Sequence, residues 1–122
     1  MTQTRTKRVY EDVESGDGER VLVERMWPRG FSKQDERVSR WLKEVAPSDD
    51  LRRWFHDTGD FANFSKAYRK ELEERPESRE ALDQLEELAR SADRVTLVFA
   101  SKDEEHNSAV ILKDVLDSEL SG

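Results

Sequence analysis

At 122 residues the chain has the length of one compact domain, with nothing left over for a separate catalytic module. It has no cysteine, which excludes disulfides, thiolate metal sites and every cysteine nucleophile. A formal net charge of -7 argues against broad nucleic-acid binding, because sequence-independent affinity comes from a basic face that neutralises phosphates.

The N-terminal residues MTQTRTKR lack the apolar core of a secretory signal, and no apolar run approaches the roughly 20 residues of a membrane span. A cytoplasmic location without membrane contact is expected. Thr4 to Tyr10 reads as a short strand ending in a Val-Tyr pair, although its basic residues would equally suit a frayed terminus. The next segment, Glu11 to Glu19, carries Ser15, Gly16, Asp17 and Gly18, a dense turn signal. Arg20 to Arg25 follows as a second strand whose contiguous Val21, Leu22 and Val23 predict burial on both faces.

That strand breaks at Trp27, Pro28, Arg29 and Gly30. The break places Arg25, Arg29 and the Trp27 ring together at a strand end, where open α/β sheets bind ligands. The competing interpretation is a rigid turn whose arginines bridge neighbouring loops. Ser32 suits a cap for a short turn through Asp35 and Glu36. Val38 to Val45 has no clean alternation and is taken as helix or irregular structure. Ser48 before Asp49 and Asp50 is an N-cap signal for a helix that sets Leu51 and Phe55 on one face, and Arg52 and His56 on the next.

Thr58, Gly59 and Asp60 interrupt the chain before Phe61, Phe64, Tyr68 and Leu72, whose spacing makes an amphipathic helix with an aromatic core stripe. Pro76 opens a further helix with Ala81, Leu82, Leu85, Leu88 and Ala89 inside. Arg94 to Ala100, RVTLVFA, is a continuous apolar strand of the kind found in covered parallel sheets. After it, Ala109, Val110, Leu112, Val115 and Leu116 have helical spacing, with Ser101 or Asp103 available as a cap. The pattern predicts a single α/β domain over residues 1–122, its mainly parallel sheet covered by helices.

If the two apolar strands are parallel neighbours, Arg25 to Arg29 lies beside Ser101 to Asn107. The candidate ligand-binding residues are then Arg25, Trp27, Arg29, Arg52, His56, Lys102 and Asn107. Forked arginines and a helix start suit a phosphate or carboxylate. His106, oriented by Asp103, is the candidate acid or base, and these two are the candidate catalytic residues. His56 is expected to be partly buried and hydrogen-bonded. In the alternative, Asp103 and Glu105 neutralise the same cations in an internal salt-bridge network. No HExxH-type spacing, Walker loop or GxGxxG is present, so no metal ligands are assigned and no cofactor is identified.

The stretches VLVERMWPRGFSK, WLKEVAPSDDLRRWFHD, FSKAYRKEL and VTLVFASKDEEHNSAVILKDVL, in that order from about Lys7 to Leu116, resemble the YeaO-like branch of the domain of unknown function 488 family. The resemblance implies a small α/β domain and no settled activity. It puts Arg25, Trp27, Pro28, Arg29, Gly30, Trp54, His56, Tyr68, Lys102, Asp103, His106 and Asn107 at motif positions. A longer branch carries a Cys-His-Arg triplet after the last strand, where this chain reads Asn107, Ser108 and Ala109, so thiol chemistry does not carry over. The resulting expectation is a pocket for a small anionic molecule, either simply bound or also acted upon. A non-enzymatic interaction or regulatory domain is the alternative, and a haem-binding protein using His56 or His106 a more distant one. The oligomeric state is not specified by these residues.

Overall fold

The computed structural model describes residues 3–121. Met1, Thr2 and Gly122, which the one-domain expectation takes in, lie outside the described residues. Four strands, β1 (Gln3–Arg8), β2 (Glu19–Leu22), β3 (Arg40–Trp41) and β4 (Arg94–Phe99), form one sheet in the order β1-β4-β2-β3, with every pair parallel. Four helices accompany it: α1 (Asp49–Thr58), α2 (Phe61–Glu74), α3 (Pro76–Ser91) and α4 (Ser108–Ser121). The protein is thus a small α/β domain with a parallel sheet.

The two apolar runs are the inner strands, as their lack of alternation predicts. Val21 pairs with Leu97 and Leu22 with Val98, and all four are fully buried. The two faces of the sheet are covered differently. Val21, Val23, Val95, Leu97 and Phe99 face the helices and join Phe64, Tyr68, Leu72, Leu82, Leu85 and Leu112 in the main core. On the opposite face Val9, Leu22 and Val98 are covered by Trp27, Phe31 and Val38 from the irregular segment after β2. Helices therefore cover one face only.

The rest of that second face is ionic. Arg20 and Thr96 are register partners, and both are buried. Arg20 donates from Nη1 to Asp17 Oδ2 at 2.6 Å and spends its other donors on the carbonyls of Arg37, Val9, Glu11 and Asp12. Lys7 Nζ reaches the same Asp17 carboxylate at 3.1 Å and Glu14 at 2.9 Å. Burial alone would raise the Asp17 carboxyl, but the Glu14 N–H, Arg20 and Lys7 outweigh it and hold it below the usual carboxylate range. The turn Ser15–Asp17 is thus the lid of a buried ion cluster.

Val38 to Val45, expected as helix or irregular structure, contains β3 and a 3-10 turn at Lys43–Val45. The backbone explains the strand. Ser39 N–H donates to Arg20 O at 2.8 Å and Leu42 N–H to Leu22 O at 3.0 Å, so this segment satisfies the outer edge of β2. The aromatic stripe on α2 buries Phe64, Tyr68 and Leu72, whereas Phe61 is half-exposed at the helix start. The Tyr68 hydroxyl donates to Val45 O at 2.6 Å, tying α2 to the 3-10 turn.

Candidate functional site

The C-terminal ends of β2 and β4 lie side by side. Beyond the strand itself Val23 N–H still donates to Val98 O at 3.3 Å, so Glu24 and Arg25 leave the sheet next to Ala100 and Ser101. The Ala100 N–H donates to Glu24 Oε1 at 3.2 Å. Burial raises the Glu24 carboxyl above its ordinary value, against the opposing pull of that N–H and of Arg52.

α1 supplies the facing wall. Ser48 caps it by accepting from Leu51 N–H at 3.2 Å, and Glu71 of α2 holds the cap by accepting from Ser48 N–H at 2.9 Å and Ser48 Oγ at 2.6 Å. Gly59, at φ +67°, closes the helix in the left-handed conformation. This short, doubly anchored helix presents Arg52, Phe55 and His56 to the strand ends. The Phe55 and Phe64 rings stack at 4.2 Å.

Between these elements lies a cavity of about 310 Å³. Phe55, Phe64, Pro47 and Met26 give it apolar walls, while Glu24, Arg52, His56 and His106 bring ionisable groups to it. A larger hollow of about 790 Å³ opens at the opposite end of the strands, but Ala92 is the only apolar residue lining it. Small-molecule sites are mainly apolar with a few convergent polar groups, a description that fits the smaller cavity.

Of the residues singled out in the sequence, Arg25, Arg52, His56, His106 and Asn107 line this cavity. They are not equally free. Arg25 donates from Nε to Pro47 O at 3.0 Å, from Nη2 to Ala46 O at 3.3 Å and from Nη1 to Glu44 Oε2 at 3.2 Å, so it braces the loop before α1. Asn107 is 5% exposed and caps α4, accepting from Val110 N–H and donating to Asp103 O. Neither Ser101 nor Asp103 takes that role. Arg52, by contrast, has among the described residues a single side-chain hydrogen-bond and ion-pair partner, Asp49 at 3.4 Å, in an exposed pair.

Four of the expected ligand-binding and catalytic residues lie away from the cavity. Trp27 packs on the other face of the sheet, donates to Phe31 O at 3.1 Å and lies 5.4 Å from Trp41. Buried Pro28 follows it in the segment that crosses that face, so the indole cannot wall the cavity. Arg29 and Lys102 are exposed and, among the described residues, have neither hydrogen-bond nor ion-pair partners. Asp103 contacts two residues that line the cavity, with Oδ2 at 3.2 Å from His106 Nδ1 and its carbonyl accepting from Asn107 Nδ2 at 2.8 Å. The backbone N–H groups of His106 and Glu105 hold the Asp103 carboxyl below its usual range. His56, expected to be partly buried, is 90% exposed. Position i+4 from Arg52 turns its ring to the cavity mouth rather than into the core.

The salt-bridge alternative does not take the expected form either. Asp103 pairs with His106, and the carboxylate partner of Arg25 is Glu44, not Asp103 or Glu105. The residue that sequence reasoning missed is Glu24. Its signal was present, a lone acid directly after VLV at the end of an interior strand. The described residues contain no group of three or more His, Cys, Asp or Glu side chains placed to hold a metal ion. No helix among them is long and apolar enough to cross a membrane.

Residues 3–122 match the family described as the inactive DUF488-N3 subclade. The chain belongs to this family. It is 42% identical over 118 residues to the uncharacterized protein Rv3073c of Mycobacterium tuberculosis strain H37Rv, covering 95% of each chain. It is 38% identical over 113 residues to the uncharacterized protein YeaO of Escherichia coli K12, covering 92% of this chain and 95% of that one. No solved structure matches the chain. The YeaO-like resemblance read from the four motifs therefore holds along nearly the whole length.

Proposed function

We propose that this protein is a binding domain that receives a small carboxylate- or phosphate-bearing molecule at the C-terminal edge of its sheet and does not transform it. The observation that carries this reading is Arg52, a forked guanidinium at a cavity with apolar walls, whose one ion-pair partner among the described residues is a long and exposed contact. Free donors over an apolar floor orient a ligand that has both an anionic end and an apolar body.

Two further points favour binding over catalysis. Two hydroxyls, Ser101 and Ser108, line the cavity; Ser101 Oγ accepts from Asp103 N–H at 3.2 Å within its own loop, and among the described residues no hydrogen bond links either serine to His106. Nucleophilic catalysis needs such a link between hydroxyl and base. The matching subclade is itself described as inactive. An enzymatic reading would rest on the Asp103–His106 pair, and a regulatory role is compatible with ligand binding.

The test is calorimetric titration of a panel of carboxylated and phosphorylated metabolites into wild type and Arg52→Ala, at low and moderate salt. At least one member should bind wild type and lose about tenfold or more in affinity in the variant, the equivalent of about 1.4 kcal/mol. Equal binding by both proteins would remove Arg52 from the site, and turnover of a bound member by wild type would replace the binding reading with an enzymatic one.

A further inference from the structure

The cavity holds charges of both signs that are not in contact with each other. Glu24 and Arg52 both line it, yet among the described residues no ion pair within 4.0 Å joins them. Glu24 Oε1 is taken by the Ala100 N–H, whereas Oε2 has no hydrogen-bond or ion-pair partner among the described residues. No fully buried side-chain oxygen or nitrogen among the described residues lacks a hydrogen bond, so Oε2 keeps some solvent exposure, and Glu24 is one of the residues that line the cavity. An acceptor at one point and a guanidinium at another, with the stacked Phe55 and Phe64 as apolar wall, describe a complementary ligand.

Resting on the anion-binding reading, we propose that the occupant is a small ampholyte of the α-amino-acid class with an apolar side chain, its ammonium held by Glu24 and its carboxylate by Arg52. The size agrees. A volume of about 310 Å³ stands at the bottom of the roughly 300–1,000 Å³ range of small-molecule sites, which suits an amino acid and excludes a dinucleotide. The chemistry agrees as well. A carboxylate on a residue that lines a cavity disfavours a purely anionic ligand, which would meet Glu24 as a like charge, and favours one that brings an N–H donor to it. The raised Glu24 carboxyl fits this arrangement, since burial outweighs the pull of Arg52 and the Ala100 N–H, and an ammonium beside it would add a counter-charge.

The experiment uses matched pairs that differ only in the amine: L-phenylalanine with 3-phenylpropanoate, L-leucine with 4-methylpentanoate, and L-tryptophan with indole-3-propanoate. Each is titrated into wild type, Glu24→Gln and Arg52→Ala, with folding checked by amide NMR spectra. In at least one pair the amino acid should bind wild type about tenfold or more tightly than its deaminated partner. Glu24→Gln, which keeps an oxygen for the Ala100 N–H, should remove most of that preference, and Arg52→Ala should weaken both members. Deaminated acids binding wild type as well as the amino acids, or better, overturns the ampholyte proposal and leaves the anion-binding reading standing. So does a preference that survives in folded Glu24→Gln. Failure of every pair overturns the proposal too, and the wider carboxylate and phosphate panel then decides the anion-binding reading by itself. Should Glu24→Gln not fold, the matched pairs on wild type still decide between an ampholyte and a simple anion.

Discussion

Arg20 Nη1 lies 2.6 Å from Asp17 Oδ2, with the two side chains 1% and 0% exposed. In a chain with 40% charged residues, this pair is unlike the surface pairs around it. It is fully desolvated, and Lys7 shares the carboxylate. Replacing Asp17 with Asn leaves two buried cations without their common counter-charge, so the cost should be about 3–5 kcal/mol. Breaking the Arg53–Asp50 pair, at 3.0 Å but 71% and 96% exposed, should change stability little. Urea unfolding of Asp17→Asn and Arg53→Ala gives the comparison, and similar midpoints for the two variants would deny the cluster its structural role.

Phe64 is 2% exposed and joins the main core to the candidate cavity. Phe64→Ala removes a ring stacked on Phe55 and should cost about 3–5 kcal/mol. A loss below about 1 kcal/mol in chemical denaturation would mean that the aromatic stripe does not anchor α2.

Gly18 and Gly59 both have positive φ, at +62° and +67°, but their surroundings differ. A Cβ on Gly18 would stand 2.1 Å from Arg94 O, whereas one on Gly59 meets nothing within 4 Å. Gly59→Ala should therefore cost only the left-handed backbone penalty, about 1–2 kcal/mol. Gly18→Ala adds a clash with main chain beside the ion cluster, and its melting temperature should fall further than that of Gly59→Ala. The reverse order would contradict the close approach of the turn to β4.

Glu86 of α3 and Glu119 of α4 share Arg79, whose Nη1 is 3.0 Å from Glu119 Oε1 and whose Nη2 is 3.6 Å from Glu86 Oε2. Burial first, then the neighbouring Glu119, pushes the Glu86 carboxyl up to about 7 from its ordinary 4.5. Between those values the folded protein keeps a proton that the unfolded chain has released. The contribution of Glu86 is thus fully present below pH 4.5 and is lost as pH rises through about 7. The lowered Asp17 acts in the opposite sense, its contribution being present above the ordinary carboxylate value and lost on acidification. Thermal melts should therefore show wild type losing stability from about pH 5 to pH 8 relative to Glu86→Gln, and parallel profiles would show that Glu86 is not protonated at neutral pH.

Local and periodic features were legible in the residue order. The unbroken apolar runs at Val21 to Val23 and Leu97 to Phe99 marked interior parallel strands, because only a strand covered on both faces can lack a polar side. Ser48, Pro76 and the Phe64, Tyr68 and Leu72 stripe set helix starts and faces by capping and spacing, which depend on neighbours a turn away. The i and i+4 placement of Arg52 and His56 on one side of α1 followed from the same rule. What the order of residues could not reveal was where each side chain would find its partner. Arg25 is occupied by Glu44, Ala46 and Pro47, about twenty positions on, and Glu24 meets an N–H 76 positions away. Val38 to Val45 has no decisive periodicity and becomes strand because the open edge of β2 is there to be paired. Trp27 left the site because the second sheet face, bare of helices, needed covering. Helical spacing and apolar continuity act over a few residues, whereas the use of a donor or a carboxylate depends on which distant segment the fold sets against it.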